Sequence, residues 1–171
     1  MLLLRLNFNF YSKMVSPTEW GPGAWELLHG LAERVGNHSN HLLIRDERNE
    51  LKLTLRHFWA LLPCLKCQKH YKEWLKKSNP ESWIQGPFGS DLQISMRNWV
   101  FMLHENVNNS RDVVSGITLE QMKDTYSGVI LREKANSLKS FYQKGLDART
   151  LKAEDWKLAW KHLDLLLRAI G

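Results

Sequence analysis

Pro63 stands between two stretches of helical apolar spacing and directly before both cysteines of the chain, in Pro63-Cys64-Leu65-Lys66-Cys67-Gln68-Lys69-His70-Tyr71. A proline inside a helix clashes with the preceding turn and has no N–H to donate, so the helix before it must end. Its fixed φ suits the start of a new helix, so one opens at about Cys64. A helix that opens there carries Cys64 and Cys67 in its first turn. Unpaired backbone N–H groups and the positive end of the helix dipole stabilise a thiolate there. Lys66 and Lys69 add positive charge nearby.

The flanks read as helices. Trp25, Leu28, Ala32 and Val35 recur at helical spacing behind Pro22, predicting a first helix from about Pro22 to Val35. Leu51, Leu55, Phe58 and Leu62 mark a second, from about Leu43 to Leu61. The third runs from about Cys64 to Lys77 and stops at Asn79-Pro80. Ser90 is read as the N-cap of a fourth, to about Asn109, with Leu92, Met96, Trp99, Val100, Leu103 and Val107 along one stripe. From about Arg111 the chain reads as a separate block. Thr118-Leu119-Glu120-Gln121 has capping-box form and opens a helix to about Lys134. Thr150 is read as the cap of a last amphipathic helix carrying Trp156, Trp160, Leu163 and Leu167. Leu6, Phe8 and Phe10 alternate with Asn7 and Asn9, but a lone strand has no pairing partner, so residues 1–15 are read as a tail. The expected fold is all-α, with four core helices and a helical C-terminal extension.

Composition narrows the function. The 171 residues are 43% hydrophobic and 25% charged, as in a globular domain. The formal charge is +6, which permits nucleic acid, anionic lipid or an acidic partner, but Lys and Arg are interleaved with Glu and Asp as on solvated helix faces. No nucleic-acid motif and no membrane-spanning apolar run is present in the sequence, and the start of the chain lacks the pattern of a signal peptide. A soluble, intracellular protein is expected. Eight tryptophans can build a core or wall a pocket for a planar ligand.

In such a compartment a Cys-x-x-Cys is redox-active or metal-binding more often than structural. A structural bridge closing four residues would contribute only about 2 kcal/mol, against about 3 for fifteen. Zinc could use Cys64, Cys67, His70 and His57, but no second Cys-x-x-Cys or His-x-x-x-His pair completes a four-ligand set, so no metal site is assigned. A thioredoxin-like domain would need βαβ patterning around the pair.

Two further motifs accompany the cysteines. Trp25 and His29 share a helix face in Trp20-Gly21-Pro22-Gly23-Ala24-Trp25-Glu26-Leu27-Leu28-His29. His104 and Asn108 share another in Trp99-Val100-Phe101-Met102-Leu103-His104-Glu105-Asn106-Val107-Asn108. A histidine on an apolar helix is usually a core residue. Here two helices each place one beside a tryptophan, and a third carries a redox-capable pair.

In this order, Gly21-x-x-x-Trp25-x-x-x-His29, Pro63-Cys64-x-x-Cys67-x-x-His70 and His104-x-x-Val107-Asn108 resemble the Erv/ALR sulfhydryl oxidases, over about residues 17–110. The short form with few cysteines looks most like the versions encoded by large DNA viruses, which would place the protein in host cytoplasm or virion. The resemblance implies an FAD-binding four-helix bundle over residues 16–112, an extension over 113–171 and a homodimer. It implies FAD contacts from Gly21, Trp25, His29, His70, His104, Val107 and Asn108. Cys64 would exchange with cysteine-containing protein substrates and Cys67 would face the flavin, with oxygen as the electron acceptor and hydrogen peroxide as product. The family commonly has Asn directly after the fourth-helix histidine, where this chain has Glu105 and then Asn106; Arg111 or a later lysine would meet the FAD phosphates. With no third cysteine, the pair must meet its substrate directly, and the surface around Leu65, Lys66 and Gln68 is the expected contact. The competing readings are a helical interaction protein with lost activity and a zinc-binding adaptor.

Overall fold

A computed structural model describes residues 15–171, so the alternating Leu6–Phe10 segment lies outside the described residues. Within them the chain is helical and no strand occurs. The bundle is made by α1 (Pro17–Ala32), α2 (His41–His57), α3 (Leu65–Lys77), the short α4 (Glu81–Ile84) and α5 (Ser90–Asn109). A 3-10 turn over Phe58–Leu61 joins α2 to α3. Beyond α5 come α6 (Met122–Tyr126), α7 (Leu131–Ser137), α8 (Lys139–Asp147) and α9 (Ala153–Ile170).

The first helix starts a turn and a half earlier than its apolar spacing predicts. Ser16 and Glu19 form a reciprocal capping box and Pro17 takes the first turn, a stronger start signal than Pro22. Pro22 is carried inside α1, flanked by Gly21 and Gly23, where it forgoes one backbone hydrogen bond. At α5 the cap is Gly89, in a left-handed conformation at φ 85°, and Ser90 is the first helical residue. The Thr118 capping box forms, but the helix behind it ends at Tyr126, since Gly128 and two β-branched residues break it before α7. Thr150 does not cap α9. It is buried, its hydroxyl donates to the Gly145 carbonyl at 3.1 Å, and Lys152 holds the cap position.

The expected separate C-terminal block shares the bundle's core. Leu27 and Leu31 of α1, Leu55 of α2, Met96 of α5 and Leu163 and Leu166 of α9 belong to one buried cluster. The α9 helix packs along α2, while α1 lies between α5 and α7. Polar links reinforce both seams. Arg97 of α5 grips Glu33, the C-cap of α1, through two nitrogens at 2.6 and 2.7 Å, and Arg132 of α7 pairs with Asp164 of α9. Glu47, fully buried, accepts the Gly36 N–H at 2.6 Å beside His38, whose ring meets the Ala169 carbonyl of α9 at 2.5 Å.

Candidate functional site

The cysteine pair is built as the local sequence requires, with one shift of register. Cys64 is the N-cap of α3, extended at φ −150° and ψ 113°, and Leu65 is the first helical residue. Its sulfur accepts the Cys67 N–H at 3.2 Å, the place a serine or aspartate oxygen takes in an ordinary cap. Cys64 and Cys67 are joined by a disulfide with Cα atoms 5.2 Å apart. Both are partly exposed. Gln68 is buried instead of facing solvent: its amide donates to the Leu62 and Thr150 carbonyls, each at 2.8 Å. It therefore ties the disulfide loop to the chain before α9 and is unavailable as a substrate contact. Gly145 makes the same seam from the other side, since a Cβ there would come within 2.8 Å of Pro63.

The histidine motifs meet across α1 and α5. Trp25 and His104 stack with centroids 3.9 Å apart and planes 10° apart. His29 Nε2 and His104 Nδ1 share a hydrogen bond of 3.0 Å. Tyr126 of α6 closes the cluster, stacked on His29 at 4.4 Å and 12°. Burial, reinforced by His104, holds the His29 imidazole down at about 3. Burial also lowers His104, against a weaker opposing pull from Glu105. Both rings are therefore neutral at pH 7. The Tyr126 hydroxyl is pushed up by burial and by Glu26. The second nitrogen of His29, Nδ1, is buried without a partner. Indole nitrogens of Trp20, Trp74, Trp83 and Trp156 are buried unpartnered too, so the open nitrogen marks a site only by its company.

A separate contact joins α5 to α3: the Asn106 side-chain oxygen meets His70 Nε2 at 2.7 Å. His70 lies one turn beyond Cys67 on α3, and Asn106 lies two residues beyond His104 on α5. Asn108 stays on its own helix, donating to Glu105 at 3.2 Å. Val107 packs against the core cluster. Gly21 has no neighbour within 4 Å of where a Cβ would stand, so nothing in the chain itself demands glycine there. Arg111 is exposed past the end of α5, and Lys134 of α7 pairs with Glu26 of α1. Trp25, His29 and His104 thus come together, His70 pairs separately with Asn106, and the side-chain contacts found for Val107 and Asn108 lie elsewhere, in the core and on Glu105. Asn106 and Tyr126 were missed in the sequence. The shift from Asn to Glu at position 105 was the available signal for the first; nothing local singles out the second.

Among the described residues no three His, Cys, Asp or Glu side chains converge as metal ligands, and no helix is long and apolar enough to cross a membrane. The fold and site define an all-α bundle with a Cys-x-x-Cys disulfide at the N-terminus of α3 and a neutral histidine–aromatic cluster between α1, α5 and α6. The chain belongs to the Erv1 / Alr family, which it matches over residues 22–126, a span that holds the cysteine pair, the three histidines and Tyr126. Members of that family are in general FAD-binding sulfhydryl oxidases, commonly homodimeric and acting on cysteine-containing substrates. Searches of curated proteins and of solved structures find no further match to the chain.

Proposed function

We propose that the protein is an FAD-linked thiol oxidase that introduces disulfides into cysteine-bearing protein substrates, acting as a homodimer with oxygen as electron acceptor. The observation that carries this is the placement of one disulfide at the N-terminus of α3, within a family match that also contains the four-ring cluster. The residues fit a flavin dinucleotide. They offer planar aromatic faces, neutral ring nitrogens of which one is buried and open, and a His70–Asn106 hydrogen bond between α3 and α5. Trp25, His29, His70 and His104 would hold the cofactor, with Gly21, Val107 and Asn108 at its margins. When bound, FAD accepts two electrons from the cysteine pair and returns them to oxygen as hydrogen peroxide.

The chain's own steps follow from the cap geometry. A substrate thiolate attacks the Cys64 sulfur, the S–S bond breaks, and the Cys67 thiolate leaves. That thiolate sits in the first turn of α3, where free N–H groups and the dipole favour negative charge. The second substrate thiolate attacks the substrate sulfur of the mixed disulfide and releases Cys64 as a thiolate, which the Cys67 N–H is placed to stabilise at 3.2 Å. The test is oxygen uptake by purified protein given a dithiol, with peroxide measured. Stoichiometric uptake with flavin released on denaturation supports the reading. A folded, flavin-free protein without uptake overturns it.

A further inference from the structure

The charge that looks scattered in the sequence is sorted by α3. Its thirteen residues include Lys66, Lys69, Lys72, Lys76 and Lys77 against the single acid Glu73, and all six of these side chains are exposed. At 3.6 residues per turn they fall on one face together with Leu65, which is 61% exposed beside Cys64. Tyr71, Gln68, Trp74 and Leu75 take the opposite, core-facing side. Among the described residues Glu73 answers only Lys69, at 4.0 Å, and Lys72 lies over the Trp59 ring at 3.5 Å. The lysine face runs on into a groove between α2 and α3, where Lys52 and Arg56 join Lys76 and the facing acid is Glu81, already paired with Arg56.

We propose that this face selects the substrate: the protein oxidises cysteine pairs flanked by acidic polypeptide. The inference rests on the thiol-oxidase reading of Cys64 and Cys67. The face begins at the sulfur that meets the substrate, and an aliphatic side chain stands at that point to meet the peptide around the cysteine. From Lys66 to Lys77 is about 17 Å along the helix, which an extended strand spans in about five residues. The acidic positions therefore lie within about five residues of the reacting cysteine. The face starts at the sulfur that exchanges with a thiol, and a polypeptide carries cysteines where nucleic acid carries no thiol, which favours a carboxylate-bearing peptide over nucleic acid. In each exchange the peptide dithiol becomes a disulfide and the Cys64–Cys67 disulfide becomes a dithiol, two electrons and two protons passing from peptide to protein.

The test uses the FAD-loaded protein without oxygen and two dithiol peptides of equal cysteine spacing, one flanked by Asp and Glu, the other by Lys and Arg. Single-turnover reduction of the disulfide is expected to be about tenfold faster with the acidic peptide at low ionic strength. The advantage should fall toward one as salt screens the charges. Because the ratio of the two rates cancels any change in intrinsic reactivity, K66E/K69E/K76E should invert it and K66Q/K69Q/K76Q should bring it near one. Equal rates in the unaltered protein, or a ratio indifferent to these substitutions, overturns the inference. So does an oligonucleotide that displaces the acidic peptide at equal charge. A small dithiol separates the two readings: if it opens the disulfide and the peptides show no preference, only this inference falls. If it cannot, the oxidase reading falls and this inference with it.

Discussion

His29 and His104 join α1 to α5 through a ring-to-ring hydrogen bond of 3.0 Å, and His57 and His162 face each other across α2 and α9 with centroids 5.9 Å apart. The second pair has a carboxylate partner within the chain. His162 Nδ1 meets Glu50 at 2.8 Å, and Asp155 partly offsets the burial and the His162 and Arg56 charges that lower His57. Among the described residues the first pair has no carboxylate partner; it stacks on Trp25 and Tyr126 and leaves a buried nitrogen open. A buried polar atom without a partner costs about 1–3 kcal/mol. The α2–α9 pair closes a seam; the α1–α5 pair has the form of a place for something else to bind.

The largest effect should come from breaking the site chemically while leaving the seam alone. Cys67→Ser is expected to lower dithiol-dependent oxygen uptake by about a thousandfold or more, because no second thiolate remains to close the cycle. Its melting temperature should move by only a few degrees, since a four-residue bridge contributes about 2 kcal/mol. An active Cys67→Ser protein would remove the pair from the mechanism.

Acid should strike the first pair harder than the second. His29 is depressed to about 3 in the folded chain, so its contribution is fully present above its unfolded value of 6.5 and is lost as pH falls below that. The loss is about 2 kcal/mol by pH 5, and it grows until pH 3. His57 is lowered in the same direction, so it adds a loss of the same sign below pH 6.5. Denaturant unfolding followed from pH 7 to 4 reads this slope, and His29→Gln should flatten it while His57→Gln flattens it less. Identical slopes in the two variants would erase the distinction between the pairs.

Two smaller changes sharpen the comparison. Gly30 lies under α7, where a Cβ would come 2.8 Å from Leu131 and 3.1 Å from Val129. Gly30→Ala is expected to destabilise by about 1 kcal/mol, overcrowding outweighing the helix propensity gained, and to loosen the cover that Tyr126 gives His29. Calorimetry with flavin-release measurements checks both parts. His162→Ala should cost about 1 kcal/mol through its Glu50 hydrogen bond and leave flavin retention unchanged. Flavin loss in that variant would mean that the seam also supports the site.

The architecture was legible where local rules are strong. Pro63, the apolar stripes and the Ser90–Asn109 repeat placed the bundle helices, because proline sterics and burial act over a few residues. The start of α1 was misjudged because Pro22 competes with the Ser16 capping box, and spacing cannot rank two start signals. Of the site, helical spacing paired Trp25 with His29 and His104 with Asn108, and only the family resemblance brought the two motifs to one cofactor. Asn106 could not be placed in either way, since its contact with His70 depends on how α5 is rotated against α3. Tyr126 stands 97 residues after His29 in the chain, and only tertiary packing brings their rings together. Gln68 was placed on the surface beside Cys64. Its burial depends on Thr150, a residue whose hydroxyl turned inward when it was expected to cap a helix.

The most direct test of a cysteine pair coupled to a flavin beside the four-ring cluster is the visible spectrum of the purified protein during anaerobic titration with a dithiol. The account predicts a bound-flavin band that bleaches with two electrons per chain in the unaltered protein and persists in Cys67→Ser. A folded protein with no flavin band, or a band that bleaches equally in Cys67→Ser, would contradict it.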